Sequence, residues 1–166
     1  FSLRPISDWL RQHLKAGGTA FLFRNDWLLE ATGNRETPIV RASHLPVTLN
    51  GAAVFHIANT LAAIAACRAY GVSAEFIAST MKEFQHDLHN PGRTGLYQVA
   101  SGYVLLDYGH NPDAFTAVGN LAKTWAGHKI TGVIGVPGDR DNAIIQAAGR
   151  AAARSFHRLI VKEDED

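Results

Sequence analysis

Val104-Leu105-Leu106-Asp107-Tyr108-Gly109-His110-Asn111-Pro112-Asp113-Ala114 is an apolar run that breaks into polar residues and restarts behind a proline. Three β-favouring aliphatic residues predict a strand that ends at Asp107. Gly109 permits a turn, Asn111 is a helix-capping residue type, and Pro112 suits the first helical position, where no amide hydrogen is needed. The stretch therefore reads as strand, tight loop and helix start, with Asp107 and His110 carried on the loop. In a parallel α/β sheet such a loop lies at the carboxyl end of its strand, where ligands bind beside helix N-termini.

Working toward the carboxyl end, the same design recurs. Residues 112 to 126 read as the helix that leaves the first loop. Ile130 to Val136 is a second apolar strand, and Pro137-Gly138-Asp139-Arg140-Asp141 is a second polar loop. A helix to about Phe156 and a strand at Arg158-Leu159-Ile160-Val161 follow. Alternating β, α, β, α, β predicts a mainly parallel, Rossmann-like sheet, with both polar loops at one end of it. No GxGxxG occurs. Just upstream, Leu96–Val99 and Tyr103–Leu106 flank Ala100-Ser101-Gly102 as a hairpin.

Gln85-His86-Asp87-Leu88-His89-Asn90-Pro91-Gly92-Arg93 is polar and contains Pro-Gly, the sequence feature expected of a boundary between units. His86 and His89 have a spacing that metal sites use, but no thiol or third ligand accompanies them, and a solvated linker is the preferred reading. Before the linker lie two helices. Val54 to Ala69 is alanine-rich with Ile57, Leu61, Ile64 and Ala65 along one face. The second begins at Ser73, and Phe76, Ile77, Met81 and Phe84 form its expected core stripe. Earlier still, Ala20–Phe23, Trp27–Leu29 and Pro38–Val40 read as a β-meander, with a further short strand expected at Val47-Thr48-Leu49. Ile6, Trp9, Leu10 and Leu14 mark an opening amphipathic helix that Ser7 caps and Gly17-Gly18 ends.

Composition narrows the function classes. The 166 residues are 46% hydrophobic and 19% charged, which is globular, and no apolar run approaches the ~20 residues of a membrane helix. Sixteen basic and fifteen acidic residues leave a net charge of +1 without a basic block, so neither nucleic acid nor a membrane is an expected partner. Cys67 is the only cysteine and is expected to be a small buried thiol in a cytoplasmic protein. The first residue is Phe rather than Met, from which a piece of something longer is expected, and self-association through cut edges with it.

The polar residues have local readings as well as functional ones. Asp107 could accept hydrogen bonds from a ribose or stabilise its own loop. His110 is within reach of a phosphate or acyl group, or of a helix end. Arg93 offers a planar donor to a phosphate or a face to a base. Asp139, Arg140 and Asp141 could cap the following helix and pair with one another. No GxSxG elbow is present, so a Ser-His-Asp hydrolase has no support, and no GxxxxGK[ST] is present, so these residues hold no phosphate-cradling P-loop.

Four separated motifs carry a resemblance. Asn90-Pro91-Gly92-Arg93, Val104 to Pro112, Gly132 to Arg140, and Leu159-Ile160-Val161-Lys162-Glu163-Asp164-Glu165-Asp166 resemble, in order and spacing, the carboxyl-terminal Mur-ligase-like part of the cyanophycin synthetase family. The resemblance implies an α/β fold: residues 1–90 as the tail of a Mur ligase central domain, a β-meander plus two helices, and residues 91–166 as a truncated Rossmann-like Mur ligase C-terminal domain. It implies ATP-dependent amide ligation, in which a carboxylate is phosphorylated and an amino group attacks the acyl phosphate, here joining arginine to aspartate β-carboxylates of a polymer.

Residue by residue, the resemblance assigns His56 and Asn59 to adenine, Arg93 to a hinge beside the nucleotide and Asp107 to its ribose. His110 and Asn111 fall on one loop facing the acceptor and phosphate region, and Asp139 and Arg140 on another. Phe55-His56 stands where many relatives carry His-Asn. No residue is assigned as catalytic. ATP with magnesium is the implied cofactor, the metal-binding carboxylates and the P-loop are expected upstream of Phe1, and the isolated chain is expected to be inactive. Expected partners are ATP, an amino-acid acceptor and a homo-oligomer. The alternatives are a Mur or polyglutamate-type ligase with another acceptor, and a non-catalytic nucleotide-binding or assembly module.

Overall fold

The first helix, α1 (Asp8–Lys15), starts where Ser7 Oγ accepts a hydrogen bond from Leu10 N at 3.3 Å. A three-stranded antiparallel meander follows, formed by β1 (Thr19–Arg24), β2 (Trp27–Thr32) and β3 (Arg35–Arg41). The structure, a computed structural model, describes residues 1–125, 127, 129–138 and 140–162. Asn25 and Asp26 join β1 to β2 with φ of 49° and 70°, the left-handed pair that a two-residue hairpin turn requires.

Strand alternation sorts the apolar residues of this sheet onto two faces. Ala20, Leu22, Leu29 and Ala31 pack with Leu10 and Leu14 of α1. Phe21, Leu28 and Val40 pack on the other side with Ile57, Leu61 and Ile64 of α2 (Val54–Ala69) and Ile77 of α3 (Ala74–Lys82). A helix on each face explains why Ala20-Phe21-Leu22-Phe23 is apolar without interruption: both sides of β1 are covered. The layers are α1, the meander, then α2 with α3.

Three expectations are corrected in this unit. Val47-Thr48-Leu49 is not a strand: Pro46–Thr48 is a 3-10 turn, and Leu49, Asn50 and Gly51 all have positive φ, which no strand ladder accommodates. The Thr48 hydroxyl, fully buried, donates to Ala42 O at 2.6 Å and accepts from Gly51 N at 2.9 Å, which holds the turn. Phe76 is 64% exposed; Ile77 and Met81, four residues apart, form the inward stripe of α3, and Phe76 points a third of a turn away from it. Cys67 is exposed, because the buried residues of α2 stop at Ile64 and the last turn runs past the core.

Backbone contacts divide the chain into two units, Phe1–His89 and Asn90–Asp166. The first ends in a short helix, α4 (His86–His89), where the linker reading had put only loop. His86 Nε2 donates to Pro46 O at 3.0 Å, and His89 Nδ1 accepts from Gln85 N at 2.9 Å. Among the described residues no group of three His, Cys, Asp or Glu could hold a metal ion.

In the second unit, β4 (Gly95–Val99) and β5 (Gly102–Leu106) form an antiparallel hairpin, and β6 (Thr131–Ile134) pairs in parallel with β7 (Arg158–Val161). Helix α5 (Pro112–Lys123) leads into β6, and α6 (Asn142–Ser155) into β7. Phe115, Ala148, Ala151 and Ala152 form their shared core. Among the described residues the parallel strand pairing is confined to β6 and β7, and β5 does not pair with β6. No described helix is long and apolar enough to cross a membrane.

Candidate functional site

The loop that ends β5 is tied by one carboxylate. Asp107 Oδ2 accepts from Thr94 N at 3.0 Å and from the Thr94 hydroxyl at 2.7 Å, while Oδ1 accepts from Gly109 N at 2.8 Å. Thr94 is fully buried and has φ of 54°, a conformation costly for a β-branched residue that two hydrogen bonds to one carboxylate hold in place. Gly109 has no room for a side chain: a Cβ there would lie 2.7 Å from Ala114 Cβ and 3.0 Å from Asp107 Oδ1. The carboxylate thus fixes the loop and the segment before β4 together.

Around that centre the structure gathers four more polar or aromatic side chains. The Arg93 guanidinium lies 4.7 Å from the centroid of the Tyr108 ring. Tyr108 is 65% exposed and meets the His110 ring edge-on at 5.5 Å, and His110 Nδ1 donates to Tyr108 O at 3.2 Å. Asn111 caps α5, its Oδ1 accepting from Ala114 N at 2.9 Å, with Pro112 at the first helical position. Arg93, Asp107, His110 and Asn111 therefore belong to one patch. Tyr108, which sequence reasoning passed over, is the ring that links Arg93 to His110; its signal was an aromatic between Asp107 and the turn glycine. Nothing in the sequence pointed to Thr94.

The second loop begins α6 at the same end of the unit. Phe115 packs with Ala148, Ala151 and Ala152, and a Cβ on Gly119 would lie 2.5 Å from Ser155 Cβ, so contacts advance together along both helices. The helices therefore run the same way, and α6 starts roughly 9 Å further out than α5 at 1.5 Å per residue. Asp141 caps α6, its Oδ1 accepting from Ala143 N at 2.7 Å. Arg140 is exposed, and Asp139 lies outside the described residues.

His56 and Asn59 belong to α2 in the other unit. Asn59 is exposed. His56 is only 6% exposed, and its ring packs 4.6 Å from Phe55 and 6.1 Å from His86.

The second unit matches the sequence profile of the family described as "Mur ligase, glutamate ligase domain" over residues 92–166. The whole chain is similar to the cyanophycin synthetase of Trichormus variabilis, with 37% identity over 100% of this chain and 18% of that protein. It is 36% identical to the cyanophycin synthetase of a Nostoc species, again over 100% of this chain and 18% of that protein. A UDP-N-acetylmuramoyl-L-alanyl-D-glutamate--2,6-diaminopimelate ligase of Thermosynechococcus vestitus is 29% identical over 84% of this chain and 29% of its own length. A solved structure of a ligase of that same description aligns with a TM-score of 0.43 and 19% identity, over 87% of this chain and 28% of the other. The chain thus spans less than a fifth of the length of the cyanophycin synthetases it matches.

Proposed function

We propose, from the match of residues 92–166 to the family described as "Mur ligase, glutamate ligase domain", that the chain is part of an ATP-dependent amide ligase of the cyanophycin synthetase kind. Its parent joins arginine to aspartate β-carboxylates. The observation that carries this reading is 37% identity along the entire chain, across both units rather than the second alone.

In this reading the Asp107 patch is one wall of a nucleotide and acceptor cleft. The exposed Tyr108 ring, with Arg93 on it, offers a flat cationic platform for a nucleobase or ribose. Asp107 has accepted three hydrogen bonds from its own chain, which leaves a carboxylate with capacity for about one more from a ribose hydroxyl. His110, Asn111 and Arg140, at the starts of two helices running the same way, face developing negative charge with donors and helix N-termini. ATP supplies the phosphoryl group that activates the carboxylate, and the ligands of its magnesium belong to the parent outside this chain. By itself the chain is inactive.

The test uses the longer parent polypeptide with ATP, arginine and a polyaspartate primer. Arginine-dependent release of phosphate with growth of the primer is expected. Release that depends on a different amino acid, and not on arginine, would replace this reading with that of a related Mur ligase, the second reading that similarity to the diaminopimelate ligases favours. No nucleotide consumption with any acceptor would leave a non-catalytic module.

A further inference from the structure

Ser2 lies beside β1 in parallel register opposite Leu22: its N–H donates to Phe21 O at 2.9 Å, and its carbonyl accepts from Phe23 N at 3.1 Å. Arg4 and Arg24 each follow that bridge by two residues, so the register brings them to the same end of β1. The Ser2 hydroxyl accepts from Arg4 N at 3.1 Å and donates to Arg4 O at 3.2 Å, which holds the bend before α1. An open cavity of about 730 Å³ lies here, lined by Arg4, Arg24 and Asn25, by Arg11 of α1, and by apolar residues that include Ile6 and Phe23.

The charge around this cavity is one-sided. Three guanidinium groups line it, and no described carboxylate does. Asp8 and Glu36, the carboxylates paired with Arg11 and Arg24, both lie outside the lining. Arg11 donates from Nε and Nη2 to Asp8 Oδ1 at 3.4 and 3.1 Å, so its Nη1 is uncommitted. Arg24 uses Nη1 alone for both Glu36 oxygens, at 2.7 and 3.0 Å, which leaves Nε and Nη2. The Arg4 side chain has no hydrogen bond or ion pair to any described residue. A guanidinium is a planar fork, so holding one side on a carboxylate fixes the direction of the donors that remain.

We propose that this cavity binds a small organic phosphate, its phosphate group on the three arginines and its body along Ile6 and Phe23. Phosphate fits the charge: it brings about two negative charges and three acceptor oxygens, whereas a carboxylate offers three guanidiniums a single charge. A bare phosphate ion fills only a small part of the volume, and the apolar residues beside the arginines give the rest of an ester its surface. The cavity belongs wholly to the first unit and shares no residue with the Asp107 patch, His56 or Asn59. The inference therefore does not depend on the ligase reading.

The experiment follows the NMR signals of the isotope-labelled 166-residue chain while phenyl phosphate, inorganic phosphate and phenylacetate are titrated separately at fixed ionic strength. Phenyl phosphate is expected to bind saturably, moving the amide signals of Ile6, Phe23 and Asn25 and the Nε–H signals of Arg4 and Arg24. Inorganic phosphate lacks the ring and phenylacetate the phosphate, and each should bind about tenfold more weakly. Arg4→Gln should weaken phenyl phosphate by about tenfold and leave the thermal midpoint unchanged, because Arg4 holds no other part of the fold. The proposal is overturned if phenyl phosphate does not saturate, if the moving signals centre on other residues, or if Arg4→Gln leaves the affinity unchanged. Phenylacetate binding as tightly as phenyl phosphate would overturn it in favour of a carboxylate site, and inorganic phosphate binding as tightly would leave an ion site without the ester.

Discussion

Asp107 holds Thr94 through its backbone N–H at 3.0 Å and its hydroxyl at 2.7 Å, so a residue on the loop that follows β5 also fixes a strained, buried residue near the start of the second unit. Asp107→Ala would remove both hydrogen bonds that the buried Thr94 donates to this carboxylate. It should destabilise the second unit by about 1–3 kcal/mol in urea unfolding. Any loss of nucleotide affinity in this variant has to be measured where the protein is fully folded. Thr94→Val, which removes only the hydroxyl bond, should cost less than Asp107→Ala; an equal or greater loss would show that the hydroxyl, rather than the shared carboxylate, secures the segment.

Helices α5 and α6 approach each other through Gly119. A Cβ there would lie 2.5 Å from Ser155 Cβ and 3.2 Å from Ser155 Cα, the latter backbone, so rotamer change alone cannot clear it. Gly119→Ala should therefore destabilise by about 1–3 kcal/mol despite the higher helix propensity of alanine. Thermal unfolding followed by circular dichroism reads this directly, and a stabilised variant would show that the helices separate without cost.

Arg68 ties α2 to β2 and to the loop that follows α2. Its Nε donates to Glu30 Oε2 of β2 at 2.7 Å, and Nη1 to Val72 O at 2.8 Å, from the last turn of α2. Both side chains of the ion pair are partly buried, and the Glu30 hydrogen bond raises the Arg68 pKa. Arg68→Met, which keeps the apolar stem, should cost about 1 kcal/mol. Glu30→Gln should recover part of that loss in the double variant, since it removes the charge left without its partner.

Asp26 gives the first unit an acid-sensitive contact. The Ser43 hydroxyl donating at 2.6 Å, then the Ser43 N–H at 3.0 Å and the Arg41 charge, lower its pKa below the ordinary 3.8. A carboxylate with a depressed folded pKa contributes stability that is present above the unfolded value and disappears as pH falls through the folded one. The stability difference between the native chain and Asp26→Asn should be constant near neutrality and shrink below about pH 4. A difference unchanged down to pH 2 would exclude this linkage.

Much of this was written in local sequence. Ser7, Ser73 and Asn111 cap the helices they were expected to cap, and Pro112 opens α5, because these choices depend on a few neighbouring residues. The profile match of residues 92–166 to the Mur ligase family and the similarity of the whole of this chain to a part of cyanophycin synthetases agree with the resemblance carried by four short motifs. The misses depended on what lies across the fold. Phe76 and Cys67 satisfy helical periodicity but lie beyond the reach of the core that α2 and α3 share. Val47-Thr48-Leu49 has strand-forming composition, overruled by Pro46 and a run of left-handed residues. Thr94 was invisible because its conformation is imposed by a carboxylate thirteen residues away. Sequence left Asp107 as a ligand contact or a loop brace, and its three hydrogen bonds to Thr94 and Gly109 show the brace.

The exposed apolar residues of β5 and β6 also bear on how the protein behaves during synthesis. The first unit is contiguous in sequence and carries its own buried core. The second unit reaches Val161 with Val104, Leu106 and Val133 still uncovered. Two apolar strand edges, one on β5 and one on β6, have no second partner strand among the described residues, and edges of that kind are the surfaces through which neighbouring chains aggregate.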